Sequence, residues 1–595
     1  MPQGRRKLPF SGKQKKQQIQ EKRKRKQLNA ASGSEYNYER AEGNNVRPPK
    51  ERLPEFNVQS INQQPLHRGG KSNPNQYVLQ FRRETEEEIR KRKEDARKQI
   101  IPVSEEELEF DPAPYFCGNE LGFPIRPKWS PDMTREQLDS REYNYFKEYL
   151  LTLKKRSDWD ELSYFELNLE TWRQMWRVME MSDIIVWIAD ARYPAVPTYL
   201  FTYVLKTLKK SLIIILNKMD LVPSAIGLAW KHKITQTYNL DDDDKAKVHV
   251  LFFTSYKNSS EFKEGVQKNK PRGKLKMAAE AAENLLKECK SIIEKYQAKI
   301  DLQSWENKIS EEKELEYDNE EDVEIEEKIT AVPETSYEHF DLFQNNYLTI
   351  GLLGQPNAGK SSVLNALMGK KVVSVSGTPG HTKHFQTIFL TSSVRLCDCP
   401  GLVFPSKLPK PLQVLMGCYP IAQLREPYST ITFLAERLNL VKLLNLQHPE
   451  PGESEWSAID ICDSWAIKRG FLTARAGRPD TYRAANHLLR MTLSGKICLA
   501  LRPLGFTANK KYWSSSAELK NIWKVKGIVD ELDTYEHNFV ELSDDEQKPT
   551  TQTDTNEIED DGTDGSDEDE SCDSDSSEVC GAISSNKFAA LDMSN

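Results

Sequence analysis

Three short aliphatic runs, DIIVWIAD (183–190), SLIIIL (211–216) and VHVLFFTS (248–255), stand out from a chain that is otherwise amphipathic or polar. Runs of this length, separated by helical patterning, predict strands buried on both faces, as in βαβ units of a parallel sheet. A second set starts at YLTIGLL (347–353) and continues with HFQTIFL (384–390) and SVRLCDC (393–399). Only Thr391 and Ser392 separate the last two, which predicts a hairpin. Ahead of the strands, FRRETEEEIRKRKEDARKQI (81–100) is a charged sequence of good helix formers. The proline-containing FDPAPYFCGNELGFPIRPKW is expected to lie extended along a surface. Helical spacing returns at REQLDSREYNYFKEYLLTLKK (135–155) and continues through ELSYFELNLETWRQMWRVMEMS. There Phe165, Leu169, Trp172 and Trp176 recur every three or four residues, which assigns the tryptophans to the core. Residues 405–510 are mostly helical in pattern. No internal repeat is visible.

Charge and composition change this picture at the ends. The chain has 595 residues, 29% charged and 38% hydrophobic, too long for one compact domain and polar enough to include disordered segments. The net charge of -7 hides an asymmetry: residues 1–26 carry eleven Lys/Arg and one Glu, and residues 541–595 carry eighteen Asp/Glu and two Lys. The expected plan is a basic disordered tail (1–75), a helical and extended region (76–155), a strand-containing domain (156–404) with an acidic insertion at 306–336, a helical domain (405–510) and an acidic disordered tail (511–595). Nine cysteines without CxxC pairs exclude a disulfide scaffold or zinc ribbon. Cys397 and Cys399 would point to opposite faces of a strand. Reduced thiols fit the cytosol or nucleus. No run approaches the ~20 apolar residues that cross a bilayer, and the N-terminus lacks a secretory apolar region. A soluble intracellular protein with no membrane partner is expected.

The chemistry lies at the ends of the predicted strands. GQPNAGKS, Gly354 to Ser361, matches the phosphate-binding pattern GxxxxGK[ST], follows a buried strand and opens a short helix. Backbone amides of Gly354, Asn357, Ala358, Gly359 and the helix start (Lys360, Ser361, Ser362) would surround phosphates. Lys360 would reach the β- and γ-phosphates, and Ser361 would place its hydroxyl on Mg²⁺. In DCPG, Asp398 is the candidate for holding Mg²⁺ through water, and the Gly401 amide for sensing the γ-phosphate. Between them, TPGHT supplies Thr382 as a further Mg²⁺ ligand. NKMD (217–220) offers a carboxylate, Asp220, that accepts both N1–H and N2–H₂ of guanine, which adenine lacks. Asn217 would support that loop, and the Lys218 stem would lie over the purine. FTS, ending at Ser255, has the strand-end setting of a loop whose amide meets guanine O6. The ligands implied are GTP or GDP with Mg²⁺. A P-loop ATPase with a fortuitous NKMD is the disfavoured alternative.

The order is unusual, because the guanine-reading loops precede the phosphate loop. The prediction is a circularly permuted P-loop GTPase domain of α/β class, its motifs running G4-G5-G1-G2-G3, with helical additions at both ends and disordered basic and acidic tails. Rotation of the order sends DCPGLVF straight into residues 405–510, so nucleotide state is expected to reach that region. Gly401→Ala is expected to spare nucleotide binding while uncoupling it. Many GTPases orient the attacking water with a Gln after DxxG; here that position is Leu402, so slow intrinsic hydrolysis is expected. His381 is expected to be a contact residue rather than a base.

The permuted order, DAR (190–192), TPGHTKHFQT and DCPGL resemble the circularly permuted GTPases that assist large ribosomal subunit assembly. INQQP (61–65), ELSYFELNLETWRQMWRV and KRGFLTARAGRPDTYRAANHLLR extend the resemblance over roughly residues 60–510. It implies GTP binding, slow hydrolysis, a pre-ribosomal particle or ribosomal RNA as partner, and a nuclear or nucleolar location, with shuttling to the cytoplasm compatible. It also implies that Asn357 ligates K⁺ near the phosphates; loop stabilisation is the alternative reading. Arg483, His487 and Arg490, with Lys468, Arg469, Arg475 and Arg478 nearby, form a candidate phosphate-contacting face, an ordinary solvated helix face being the alternative. The basic N-terminus suits RNA or a nuclear import receptor. Ser566 lies in a weak acidic-directed phosphorylation context. A signalling-type or scaffold GTP-binding protein without an RNA partner is the competing function.

Overall fold

The computed structural model describes residues 61–62, 79–116 except 83, 122–238 except 131, 248–255, 265–266, 277–314, 342–343 and 346–526 except 475–476. The expectations for 1–60, 315–341, Arg475 and 527–595, including Ser566, lie outside the described residues.

Each aliphatic run forms a strand. With five two-residue strands besides, the strands among the described residues are, in chain order, β1 (Ile61–Asn62), β2 (Glu109–Phe110), β3 (Ile184–Asp190), β4 (Ser211–Asn217), β5 (Val248–Phe252), β6 (Gly265–Val266), β7 (Leu348–Gly354), β8 (Gln386–Thr391), β9 (Val394–Asp398), β10 (Ile497–Cys498) and β11 (Arg502–Pro503). The main sheet has the order β1-β8-β9-β7-β3-β4-β5. Strands β9, β7, β3, β4 and β5 are parallel neighbours, while β8 forms the predicted antiparallel hairpin with β9. The permuted topology is therefore explicit: β7, late in the chain, sits between β9 and the early strand β3. Every residue of β3, β4, β7 and β9 is buried, which is why these runs carry no polar alternation. Asp190 is opposite Asn217, Ile188 opposite Gly354 and Leu352 opposite Asp398. This register brings the carboxyl ends of four strands to one edge, where open α/β sheets place ligands.

The helices used below are α1 (Glu86–Asp95), α2 (Arg135–Lys154), α3 (Leu169–Met181), α4 (Ser224–Tyr238), α5 (Ala279–Lys295), α6 (Gln303–Glu314), α7 (Lys360–Met368), α8 (Lys410–Leu415), α9 (Tyr428–Arg437), α10 (Ala458–Arg469), α11 (Thr481–Leu493) and α12 (Leu519–Lys526). Trp172 and Trp176 of α3 are 0% and 1% exposed, as their spacing predicts.

Four expectations need correction. The helix containing those tryptophans begins only at Leu169; residues 162–168 run extended, because Ser163 N and Glu166 N donate to Ser406 O and Val403 O, and Leu167 N to Gln80 O. Tertiary pairing there overrides the local pattern. The proline-containing stretch does not only lie on the surface: among its described residues Ala113, Pro114 and Lys128 are exposed, but Phe110, Phe116 and Phe123 are buried, and Phe123 packs on Tyr199 and Phe404. The acidic insertion starts later than 306, since α6 buries Trp305 and Ile309 against the core. The fold also continues past 510: α12 buries Leu519, Ile522 and Val525, a three-residue spacing that packs against α4 and α5. The regions at 76–155 and 405–510 are moreover interleaved. Ile100 N donates to Trp456 O and Val103 N to Glu436 O, and β2 pairs in parallel with β11. No helix among the described residues is long and apolar enough to cross a membrane. Cys289, Cys397, Cys399, Cys418, Cys462 and Cys498 are buried and free.

Candidate nucleotide-binding site

The loop between β7 and α7 is built by two left-handed residues, Asn357 (φ 57°) and Gly359 (φ 97°). At Gly359 a Cβ would fall on Asn217 Nδ2, so only glycine fits. The helix begins at Lys360, leaving the first-turn amides of Lys360, Ser361 and Ser362 without intrahelical acceptors and with the positive end of the helix dipole. Lys360 is 6% exposed, and its Nζ donates to Gly354 O (3.1 Å) and Gln355 O (2.8 Å). Burial lowers its pKa, partly opposed by Asp398.

The three residues expected at Mg²⁺ converge. Ser361 Oγ donates to Asp398 Oδ2 at 2.7 Å and lies 3.4 Å from Thr382 Oγ1. Asp398 Oδ1 is buried without a hydrogen-bond partner, and burial pushes this carboxyl up to about 6 against the opposing pulls of Ser361 and Lys360. An orphaned carboxylate oxygen beside two hydroxyls is the hard-oxygen donor set Mg²⁺ takes, so these residues fit the ion.

The NKMD loop is tied to the GQPNAGKS loop. Asn217, 1% exposed, donates through Nδ2 to Ala358 O (2.9 Å) and accepts through Oδ1 from Ser255 Oγ (3.1 Å). One side chain thus joins three expected site elements. Lys218, left-handed at φ 61°, donates to Asn357 O (2.6 Å) and to Asp190 Oδ2 (2.8 Å). Asp190 also accepts from Arg192 Nη2 (2.8 Å) and Nε (3.1 Å), while Arg192 Nη1 reaches Thr492 O (2.8 Å) in α11. Arg192 and Lys218 hold the Asp190 carboxyl well below the usual range despite its burial. The motifs read from the sequence give Asp190 and Arg192 no role at the site. The signal was available: an acid closing a buried strand, with an arginine two residues on.

The segment after DCPG is anchored. Leu402, Val403 and Phe404 are 2%, 1% and 1% exposed. Phe404 packs on Phe123, Trp172, Trp187 and Tyr199. A Cβ at Gly401 would lie 2.6 Å from Pro356 Cα and 3.0 Å from Lys360 Nζ, so DCPG presses on the phosphate loop itself. The helical region meets the same loop at Gly417, whose carbonyl accepts from Asn357 Nδ2 at 2.9 Å; the same amide donates to Gly377 O, ahead of β8, at 2.9 Å. His381 is exposed, with its Nε2 2.8 Å from Ser374 Oγ.

Residues 349–430 match the family described as 50S ribosome-binding GTPase; the NKMD and FTS segments lie ahead of that match. Over 562 residues the chain is 42% identical to guanine nucleotide-binding protein-like 1 of Mus musculus and 41% identical to that of Homo sapiens, spanning 88% of this chain and 90% of each relative. The chain belongs to the guanine nucleotide-binding protein-like 1 family. This family member is a GTP-binding protein and a GTPase. It is also 31% identical to the large subunit GTPase 1 homolog of Mus musculus over 434 residues, 65% of this chain and 66% of that protein. GNP-bound YlqF from T. maritima matches at 18% identity with a TM-score of 0.30, covering 56% of this chain and 97% of that one.

In this family member the basic face divides. Arg478, Arg483 and Arg490 are exposed. His487 instead accepts from Trp465 Nε1, Lys468 donates to Leu444 O and Asn445 O, and Arg469 lies over the Trp465 ring.

Proposed function

We propose that this GTPase is a slowly hydrolysing conformational switch in large ribosomal subunit biogenesis, located in the nucleus or nucleolus, with passage to the cytoplasm compatible. The observation that carries the switch is the convergence of Ser361, Thr382 and Asp398 on one point beside Lys360. When bound, Mg²⁺ would neutralise phosphate charge there, held by the Ser361 and Thr382 hydroxyls and by Asp398. Lys360 leaves its loop carbonyls for the β- and γ-phosphates, and the Gly401 amide faces the γ-phosphate. Asp220 reads guanine, and the Lys218 stem covers the purine. Leu402 is buried and apolar, so it orients no water, which supports slow intrinsic turnover.

A monovalent cation is proposed as the missing positive charge. Asn357 brings an amide against the carbonyls of Gly377 and Gly417, which as it stands stabilises the loop. Turning that amide would gather neutral oxygens, the donors K⁺ favours. Support for the ribosomal partner comes from the 50S-binding family match, the large subunit GTPase relative and the exposed Arg478, Arg483 and Arg490. The basic N-terminus is proposed to contact RNA or an import receptor.

Cosedimentation with large-subunit precursors, with GDP or a non-hydrolysable GTP analogue, tests the reading. Binding that is stronger in one nucleotide state and weakened by Glu at positions 483 and 490 is expected. Absence of cosedimentation in both states would leave a signalling or scaffold GTPase without an RNA partner.

A further inference from the structure

A second cation stands behind the guanine-reading loop. Lys526, the last residue of α12, is 6% exposed, and its Nζ donates to Val222 O at 2.6 Å. Val222 closes the tight turn Met219–Leu221 that carries Asp220. An ammonium is costly to bury without a countercharge; desolvation draws Lys526 down to about 8, and the attraction of Asp220 opposes that fall. The contact joins residues 304 positions apart.

Other groups from the same end of the chain hold this turn. Cys498 Sγ donates to Leu221 O at 3.1 Å. Gly495, at φ +79°, approaches so closely that a Cβ would lie 2.8 Å from Leu221 Cδ1. The turn is thus backed by the C-terminal segments, and Lys526 alone among these three brings a charge to it.

We propose that Lys526 is a positioning residue for guanine recognition, fixing the Val222 carbonyl and setting positive charge behind Asp220, so that base selectivity depends on the docking of α12. This rests on the reading of Asp220 as the guanine acceptor. A partner that lifted α12 away would loosen the nucleotide, and bound nucleotide would hold α12 down in return.

The test uses the full chain with GDP and IDP, which lacks the 2-amino group that Asp220 also accepts. Lys526→Met keeps the stem and removes the charge. GDP affinity should fall about tenfold, the order of a lost hydrogen bond to a charged group. IDP affinity should fall less, so the preference for GDP narrows. Equal losses for both nucleotides, or none, would overturn the proposal, because a merely structural role moves both alike. Lys526→Gln, which keeps a neutral donor, should narrow the preference too and decides the matter by the same criterion if the Met variant does not fold. Asp220→Asn, measured with XDP, separates the two levels. If it fails to favour XDP, the reading of Asp220 falls and the proposal with it. If XDP is favoured while the Lys526 variants keep full selectivity, only the role of Lys526 falls.

Discussion

Replacing Asp190 by Asn should be among the most damaging isosteric changes in this protein. Asp190 is 5% exposed and takes four hydrogen bonds, from Arg192 N, Nε and Nη2 and from Lys218 Nζ. Asparagine retains one acceptor oxygen, which can keep the two bonds on Oδ1. At the Oδ2 position it sets an NH₂ against Arg192 Nη2 and Lys218 Nζ, leaving two buried or half-buried cations without a counterion. Removing one partner of a buried ion pair costs ~3–5 kcal/mol. At about 2 °C per kcal/mol for a large domain, Tm should fall by roughly 6–10 °C. Lys218 also steadies the phosphate loop through Asn357 O, so GDP affinity should fall with stability. Thermal unfolding with and without GDP measures both. The linkage has a definite sign. A carboxyl depressed in the folded state contributes stability above its unfolded pKa, and that contribution is lost as pH falls through the folded value. Wild type should therefore lose ground to Asp190→Asn on acidification below about pH 4, where the unfolded carboxyl begins to protonate. A Tm within one degree of wild type, with unchanged GDP affinity, would refute the account of this cluster.

Gly401→Ala, expected from sequence to spare nucleotide binding, should instead weaken both GDP and GTP about tenfold, since its methyl overlaps Pro356 and overpacking costs ~1–3 kcal/mol; unchanged affinity would show that the phosphate loop yields freely. GTP turnover should be faster in potassium than in sodium buffer, and Asn357→Ala should abolish the difference; equal wild-type rates would remove the cation. Glu166 is 1% exposed, its Oε2 lacks a partner, and burial raises its carboxyl to about 8 against the pull of backbone donors. The folded protein then holds a proton that the unfolded chain releases, so stability should fall as pH rises from about 4.5 to about 8. Glu166→Gln should remove that slope, and parallel Tm curves for the two proteins would contradict it.

What could be read from sequence followed its physical range. Strand positions were legible because burial on both faces leaves uninterrupted aliphatic runs, and the permuted order was legible because the GQPNAGKS, TPGHT, DCPG, NKMD and FTS motifs each need a strand end. Ser361 and Asp398 meet as expected because β7 and β9 are parallel neighbours, which sets the start of α7 beside the end of β9, and Thr382 joins them from the loop ahead of β8. The extended path of residues 162–168 was not legible, since its backbone partners Val403 and Ser406 are far along the chain. Arg192 pairs with Thr492 O and Lys526 with Val222 O across some 300 positions, and nothing local announces such contacts. In α12, the spacing of Leu519, Ile522 and Val525 did carry a signal, obscured by the acidic sequence that follows.

The rotated strand order also fixes how this protein must be made. On the ribosome β3, β4 and β5 emerge early, but the strand that covers the other edge of β3 is β7. From Phe252, the end of β5, to Leu348, synthesis at about 5–20 residues per second takes on the order of five seconds or more. For that time a nascent three-stranded sheet of almost wholly apolar sequence presents a bare edge, the template on which strands of other chains add. A chain with the unrotated order would complete that pairing as soon as β3 appeared. The cost of permutation therefore falls in translation, and this protein should depend on chaperones, or on slow codons placed after β7, more than its native stability would indicate.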